Sequence, residues 1–355
     1  MSDATSNERD DAPVRVAVVG LGYWGPNLVR NLYEIPQAEV AVVCDSRATA
    51  LEAISRRYPA IACRTSYDDV LRDATIEAVV IATPVFTHSE LASAALRAGK
   101  HVFVEKPLAA SSAESLMLIA LAEERELVLM PGHTFLYSPP VEMIKKLIDD
   151  GTLGDIYFIS TSRVNLGLHQ TDVSVAWDLG PHDFSILRYW LGETPTHVTA
   201  LSRGCIIPET PDVTFINLEF GSGTIAHVEL SWLAPSKLRR TTIVGSRAMV
   251  VYDDTSNEPV RVFDSGVVLP NPETFGEYRL SYRTGDIVSP NLSAAVPLRR
   301  EMEDFCECVR SGGAPRSTAQ LGLEVVRIIE GVDESLARGS RVEIDVTGAH
   351  VTERV

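Results

Sequence analysis

A doubly wound α/β domain followed by an α+β domain with a large, mostly antiparallel open sheet is the fold class this sequence predicts, and three observations predict it. Short Val/Ile runs alternate with helical stretches from residue 14 to about 130. A glycine-rich turn, "GLGYWG", joins the first of those runs to the first of those helices. After "PPVEMIKKLIDDG" the pattern changes to longer segments of apolar/polar alternation. Continuous apolar strands between helices are buried on both faces, as in a parallel sheet, whereas alternation marks a sheet with one face on a core.

In the first part the strands read "VRVAVVG", "EVAVVCD", "IEAVVIAT", "HVFVEK" and "LVLMPG", with helices at 24–34, 46–57, 87–98 and 111–125 between them. Thr87 stands where an N-cap belongs and Gly99 where a C′ glycine belongs, while Ser111 with Glu114 offers a capping box. In the second part "DIYFISTSRV", "VTFINLEF", "TIAHVELSW", "TTIVG" and "AMVVYDD" read as strands, with a hairpin turn at "GSG", 221–223. Helices at 177–191, 298–310 and 317–337 are predicted to cover one face of that sheet, and 253–297, rich in Pro, Gly, Ser and Asn, to form a long excursion at its edge. The other face must be covered or must pair, which predicts a homodimer or homotetramer formed through the C-terminal sheet. The expected boundaries are a disordered tail at 1–12, a first domain at 13–130 and a second at 131–350.

With 355 residues, 45% hydrophobic and 23% charged, the chain is globular in composition and long enough for two cores. A net charge of -16 argues against nucleic-acid or anionic-membrane binding, because phosphate neutralisation needs clustered Lys and Arg. No apolar run reaches the roughly 18 residues of a membrane span, and the polar, acidic "MSDATSNERDDAP" is unlike a secretory signal. Five cysteines without a paired CxxC suit a reducing, cytoplasmic setting. Cys306 and Cys308 form a CxC on an amphipathic pattern and read as buried thiols; no metal is expected.

"VAVVGLGYWGPNLVRNL" sets Gly20, Gly22 and Gly25 in G-x-G-x-x-G directly after a strand and opening a helix, with Tyr23 and Trp24 inside the turn. The first glycine allows the tight turn, the second lets the backbone approach a pyrophosphate, and the third packs helix on strand, with the helix N-terminus facing the negative charge. Asp45 ends the second strand where it can accept hydrogen bonds from the adenosine ribose. These features predict a Rossmann domain that binds a dinucleotide. The carboxylate favours NAD over NADP, while the neighbouring Ser46 and Arg47 temper that preference.

"TPVFTH", with Thr83, Pro84 and His88, ends one strand, and "VEKP", with Glu105, Lys106 and Pro107, ends the next. With the glycine turn and "DLGPH", these motifs resemble the Gfo/Idh/MocA family, the glucose-fructose oxidoreductase and inositol dehydrogenase group, from 14 to about 346. The resemblance implies a Rossmann domain, a C-terminal sheet domain, dimers or tetramers, and NAD(P)-dependent hydride transfer at one hydroxyl or keto carbon of a sugar or cyclitol. The family's catalytic positions map onto Lys106, Asp178 and His182. "GYWGPNLVRN" and "RVNLG…WDLGPHDFSIL" look most like branches acting as nucleotide-sugar or sugar 3-dehydrogenases.

The residues themselves support that chemistry. Asp178 and His182 are four positions apart and share one helix face. Pro181 is expected in the first turn of that helix, so both side chains should project from its beginning. A histidine is suited to take a hydroxyl proton at neutral pH, a carboxylate can fix its tautomer, and the Lys106 ammonium favours a developing alkoxide. Thr83, Pro84, His88 and Glu105 are expected to contact the cofactor. For the substrate the candidates are His133, Tyr137, Arg163, Asn165, His169 and Trp177, which offer hydrogen-bond donors and an aromatic face. Lys237, Arg239 and Arg240 in "SKLRR" could join Arg163 on a diphosphate or carboxylate. Two other classes remain open: glycoside cleavage on this fold with no net redox, and a non-catalytic NAD-responsive binding protein.

Overall fold

The computed structural model describes residues 12–167, 169, 173–268 and 281–346. Of the tail expected over 1–12, residues 1–11 lie outside the described residues. The chain divides into two compact units, Met1–Tyr137 with Ala295–Val326 and Ser138–Ala294 with Arg327–Val355.

The first unit alternates β1 (Val14–Val19), α1 (Gly25–Glu34), β2 (Ala38–Cys44), α2 (Ala48–Arg57), β3 (Ala62–Arg64), α3 (Tyr67–Arg72), β4 (Ala78–Ile81), α4 (His88–Arg97), β5 (His101–Glu105), α5 (Ser112–Glu124) and β6 (Leu129–Gly132). The strands form one parallel sheet in the order β3-β2-β1-β4-β5-β6. This is the doubly wound arrangement, with the strand order reversing beside β1 where ligands bind. Every residue of β4 is buried, as the unbroken run "AVVI" requires of a central strand covered on both faces. α1 is amphipathic: Leu28, Val29 and Leu32 face the sheet, and Pro26 in its first turn gives up no helical hydrogen bond. The capping box at α5 is formed, Ser111 Oγ accepting from Glu114 N at 3.2 Å while Glu114 Oε2 accepts from Ala110 N at 3.1 Å. β3 and α3 escape the sequence reading because three- and six-residue elements carry too little periodicity.

In the second unit follow α6 (Pro139–Asp149), β7 (Ile156–Leu166), α7 (Val175–Leu191), β8 (His197–Arg203), β9 (Val213–Glu219), β10 (Ile225–Ser231), β11 (Leu233–Gly245), β12 (Met249–Asp253), β13 (Val260–Val268) and β14 (Ser281–Val288). Helices α8 (Pro297–Ser311) and α9 (Ala319–Arg338) and strand β15 (Val342–Glu343) complete the chain. The sheet runs β14-β13-β12-β11-β7-β10-β9-β8-β15. Its pairs are antiparallel except β7 with β10. The stretch 253–297, expected as a long excursion at the sheet edge, carries β13 and β14, which lie at one edge of the sheet; residues 269–280 within it lie outside the described residues. α7 packs its apolar side on β7, β9 and β10, and Trp190 Nε1 donates to Val141 O at 2.9 Å, tying α7 to α6. On the opposite face the cross-strand pairs Phe158 with Ile225 and Phe215 with Leu201 are exposed.

The two C-terminal helices do not both cover that sheet, as the sequence reading expects. α8 belongs to the first unit, where it packs on α1 and β1 and sets Phe305 edge-on to Phe103 with centroids 5.8 Å apart. α9 divides: Gly322 lies against Leu108 and Pro131 of the first unit, whereas Gly331 lies against Val198 and Ile344 of the second. An apolar helix face records that it is buried and leaves open which core buries it. No helix among the described residues is long and apolar enough to cross a membrane.

Candidate active site

At the end of β1 the backbone of Gly20 has φ +90°, and a Cβ there would stand 2.6 Å from Ala82 O, so both conformation and space demand glycine. A Cβ on Gly25 would collide with Gly20 O, whereas one on Gly22 would meet nothing within 4 Å. The turn therefore leaves open space in front of the α1 N-terminus, with no side chain on its floor, which fits a pyrophosphate. Tyr23 and Trp24 are both exposed beside it. Asp45 follows β2; its Oδ2 accepts from Leu21 N at 2.7 Å and its Oδ1 from Arg47 N at 2.8 Å. The Arg47 guanidinium also grips both oxygens, at 3.0 and 2.9 Å. These Arg47 bonds, against burial, hold the Asp45 carboxyl down at about 2, so it is an ionised acceptor. Ser46 lies exposed between the two. The Arg47 side chain is 60% exposed and can swing away from the ribose position. The donor and acceptor set thus fits the adenosine end of NAD. Asp45→Ala is expected to weaken NAD about 10- to 100-fold, the worth of hydrogen bonds to a charged group, and NADP much less; titration of each nucleotide by fluorescence checks it.

After β4, the Thr83 and Thr87 hydroxyls lie 2.6 Å apart and Thr87 Oγ1 donates to Pro84 O at 2.7 Å. Thr87 thus spends its hydroxyl on the preceding turn and makes no side-chain cap for α4, unlike the expectation. His88 is also placed differently from the cofactor contact expected of it. It is buried, with Nδ1 2.9 Å from Pro107 O and Nε2 2.9 Å from Thr83 O, and braces the turn after β4 to the turn after β5. Burial pushes its imidazole below the ordinary range, the two carbonyl contacts oppose that push, and the charge of Lys106 adds to it. Thr83 and the exposed Pro84 remain at the strand end. Glu105 is the last residue of β5 and buried; Lys106, one residue on, is half-buried. Two substrate candidates are corrected here, because they face the interior of this unit. His133 is 1% exposed, and Tyr137 donates its hydroxyl to Asp304 Oδ2 at 2.5 Å under the Arg316 guanidinium.

In the second unit α7 begins at Val175, so Asp178 falls in its first turn and Pro181 lies inside the helix, in its second turn and not in the first turn the sequence suggests. The missing N–H of Pro181 removes the helical bond to the Trp177 carbonyl. Asp178 and His182 stand one turn apart, both half-buried. A residue that sequence reasoning missed completes this corner: Trp232, buried between β10 and β11, donates its indole N–H to Asp178 Oδ2 at 3.1 Å. Its only sequence signal is an aromatic at a strand end.

Asn165 and His169 arrive at the same place. A Cβ on Gly167 would lie 3.0 Å from the Trp232 ring and 3.3 Å from Asn165 Nδ2, and the His169 and Trp232 rings are 5.5 Å apart. His169 Nε2 stands 3.7 Å from Asp212 Oδ2. Burial opposes ionisation of Asp212, but the N–H groups of Cys205 and Ile206, at 2.8 to 3.0 Å, outweigh it and hold the carboxyl below its ordinary range. Trp177 is anchored through Nε1 to Asp333 Oδ2 at 2.7 Å. Arg163 is not with them. It lies under α7, 4% exposed and bidentate to Asp183, Nε to Oδ2 at 2.5 Å and Nη2 to Oδ1 at 3.2 Å, so its donors are consumed. Arg239 is paired to Asp254 Oδ2 at 3.2 Å, so two arginines of the expected anion patch are already neutralised.

The glycine-lined turn and the ionised acceptor after β2 mark the first unit as a dinucleotide-binding Rossmann domain. Residues 14–133 match the family described as "Oxidoreductase family, NAD-binding Rossmann fold", and 141–251 match "GFO/IDH/MocA C-terminal domain". The protein belongs to the Gfo/Idh/MocA family. It is an NAD(P)-dependent dehydrogenase of the class acting on CH–OH groups, with NAD as its cofactor. The inositol 2-dehydrogenase of Rhizobium meliloti is 30% identical over 93% of this chain and 99% of its own. The 2,7-anhydro-N-acetylneuraminate hydratase of Escherichia coli is 28% identical over 61% of each chain. Among solved structures, GenD2 from gentamicin A biosynthesis in complex with NAD is 25% identical, covers 94% of this chain and 97% of its own, and has a TM-score of 0.80.

Proposed function

We propose that the protein moves a hydride between NAD and one secondary hydroxyl/keto carbon of a sugar, nucleotide-sugar or cyclitol, with His182 as principal acid/base, Asp178 as its orienting carboxylate and Lys106 as the electrophilic partner. The observation that carries this reading is the Trp232–Asp178 hydrogen bond one helical turn before His182, which holds a carboxylate ready for an imidazole. When bound, NAD supplies the hydride acceptor for the oxidation. His182 takes the hydroxyl proton, and the fixed Asp178 charge stabilises the imidazolium that results. Lys106 offers an ammonium N–H to the oxygen as negative charge builds there. Asn165 and His169 offer hydrogen bonds, and Trp232 an apolar wall, for a polyhydroxylated ring. The exposed apolar pairs Phe158 with Ile225 and Phe215 with Leu201 support association of copies through the second sheet.

Incubating the protein and NAD with a panel of inositols, free sugars and nucleotide-linked sugars, and following absorbance of reduced nicotinamide, tests the reading. Turnover surviving a Lys106→Ala, His182→Ala double substitution would falsify the site. Likeness to a hydratase favours one second reading, chemistry with no net redox; products appearing without nicotinamide reduction would select it. Trp232→Phe keeps an aromatic side chain and deletes the donor. It is expected to lower kcat about tenfold with NAD affinity unchanged, and to move the acid limb of the kcat profile upward, because Asp178 then holds more charge against His182.

A further inference from the structure

The Asp45 carboxylate, read above as the ribose acceptor, has its acceptor positions filled by the protein itself. A carboxylate offers about four lone-pair positions. Oδ2 accepts from Leu21 N at 2.7 Å and Arg47 Nη2 at 2.9 Å, while Oδ1 accepts from Arg47 N at 2.8 Å and Arg47 Nε at 3.0 Å. The backbone donors and the side-chain donors differ in freedom. Leu21 N belongs to the glycine turn and Arg47 N to the residue that opens α2, so both are held by the fold. The guanidinium is tied to nothing else: the Arg47 side chain is 60% exposed and makes no other hydrogen bond among the described residues.

Nε and Nη2 lie side by side on the guanidinium and donate in parallel to the two carboxylate oxygens, as a bidentate fork does. The 2′- and 3′-hydroxyls of a ribose meet a carboxylate in the same way, one to each oxygen. Because the two backbone N–H groups hold the remaining positions, fork and diol cannot share that edge of Asp45. Ribose binding there requires release of the fork, and apparent affinity falls with the fraction of molecules in which it is released. An exposed ion pair is weak, so this competition costs NAD a factor of only about two to five. A released guanidinium is also the cation that a 2′-phosphate would meet at this corner. The neighbouring Arg64, whose carbonyl accepts from Asp45 N at 3.2 Å, has its guanidinium committed to Asp73 Oδ2 at 2.7 Å and Asp69 O at 2.5 Å.

We propose that Arg47 is a specificity-determining residue: its guanidinium competes with the adenosine ribose for the outer edge of Asp45, which weakens NAD, and once displaced it binds a 2′-phosphate, which narrows the discrimination against NADP. This role rests on the reading of Asp45 as the ribose acceptor. One side chain then moves the two cofactors in opposite directions.

Equilibrium titration of the full-length protein with NAD and with NADP, followed by fluorescence, checks the two signs. Arg47→Ala is expected to tighten NAD about two- to fivefold and to weaken NADP about fivefold or more, the loss of a charge-assisted bond to phosphate. NAD binding that is unchanged or weakened in Arg47→Ala overturns the competition, and NADP binding that is unchanged overturns the phosphate role. The wild type gives an independent readout through nitrogen-15 NMR of the arginine Nε–H groups, with Arg47 assigned by its loss in the variant. Saturation with NAD is expected to shift that resonance and speed its exchange with water, whereas a signal that keeps its position and protection shows that the fork stays on Asp45 and overturns the proposal. Asp45→Ala separates the two readings. If it weakens NAD while Arg47→Ala fails to tighten it, the ribose acceptor stands and the competition falls; if it leaves NAD unchanged, both fall.

Discussion

Replacing His182 with alanine is expected to lower kcat by roughly 100-fold or more while NAD affinity stays near wild type, the signature of losing an acid/base group remote from the adenosine end. His182 sits on α7 of the second unit, whereas the glycine turn and Asp45 belong to the first. An equal fall in NAD affinity would show that the imidazole supports the fold and not the reaction. Stopped-flow measurement of hydride transfer, with NAD binding followed separately by fluorescence, distinguishes the two. Comparison with Asp178→Asn sharpens the result, since that change keeps the Trp232 neighbour and removes the charge that stabilises the imidazolium.

The largest effect on stability is expected at Arg163. Its guanidinium is buried with Asp183 under α7, and Asp183 also accepts from Thr161 Oγ1 at 3.1 Å. Arg163→Ala leaves a carboxylate uncompensated in the interior, which costs about 3–5 kcal/mol. Replacing both partners, as Arg163→Met with Asp183→Leu, removes the charge and its desolvation together and should recover much of that loss. Denaturant midpoints for the single and double variants check the ordering. A single variant as stable as the wild type would mean that the pair is solvated. Because Asp183 directly follows His182 in sequence, the same ion pair also fixes the rotation of α7 and hence where the imidazole projects.

The first unit was legible in the sequence because its signals are local. Each Val/Ile run is a buried strand, and G-x-G-x-x-G needs only one turn and its flanks to declare itself. Asp178 and His182 were legible for the same reason, since helical spacing brings them onto one face without help from elsewhere. What the sequence could not show depends on partners far along the chain. Arg163 looked like a substrate donor until Asp183, twenty residues on, turned out to consume it. Tyr137 looked available until Asp304 of α8 took its hydroxyl. Trp232 carried no mark of its role, because the hydrogen bond to Asp178 spans 54 positions. The internal place of Pro181 was missed because a proline is read as a boundary, whereas here the residues before it are held by Ser174 O, which accepts from Asp178 N at 3.0 Å.

The first unit is discontinuous in the chain, and that bears on how the molecule is made. A chain emerging from the ribosome as far as Tyr137 already carries all six strands of the parallel sheet, but not α8, whose Met302, Phe305 and Cys306 are buried in that unit and whose Phe305 covers Phe103. The intervening Ser138–Ala294 takes roughly 8 to 30 s to be synthesised at about 5–20 residues per second. Throughout that interval the nascent amino-terminal half presents an unsealed apolar surface. Although it is translated first, the dinucleotide-binding half is completed only after nearly all of the other half has left the exit tunnel.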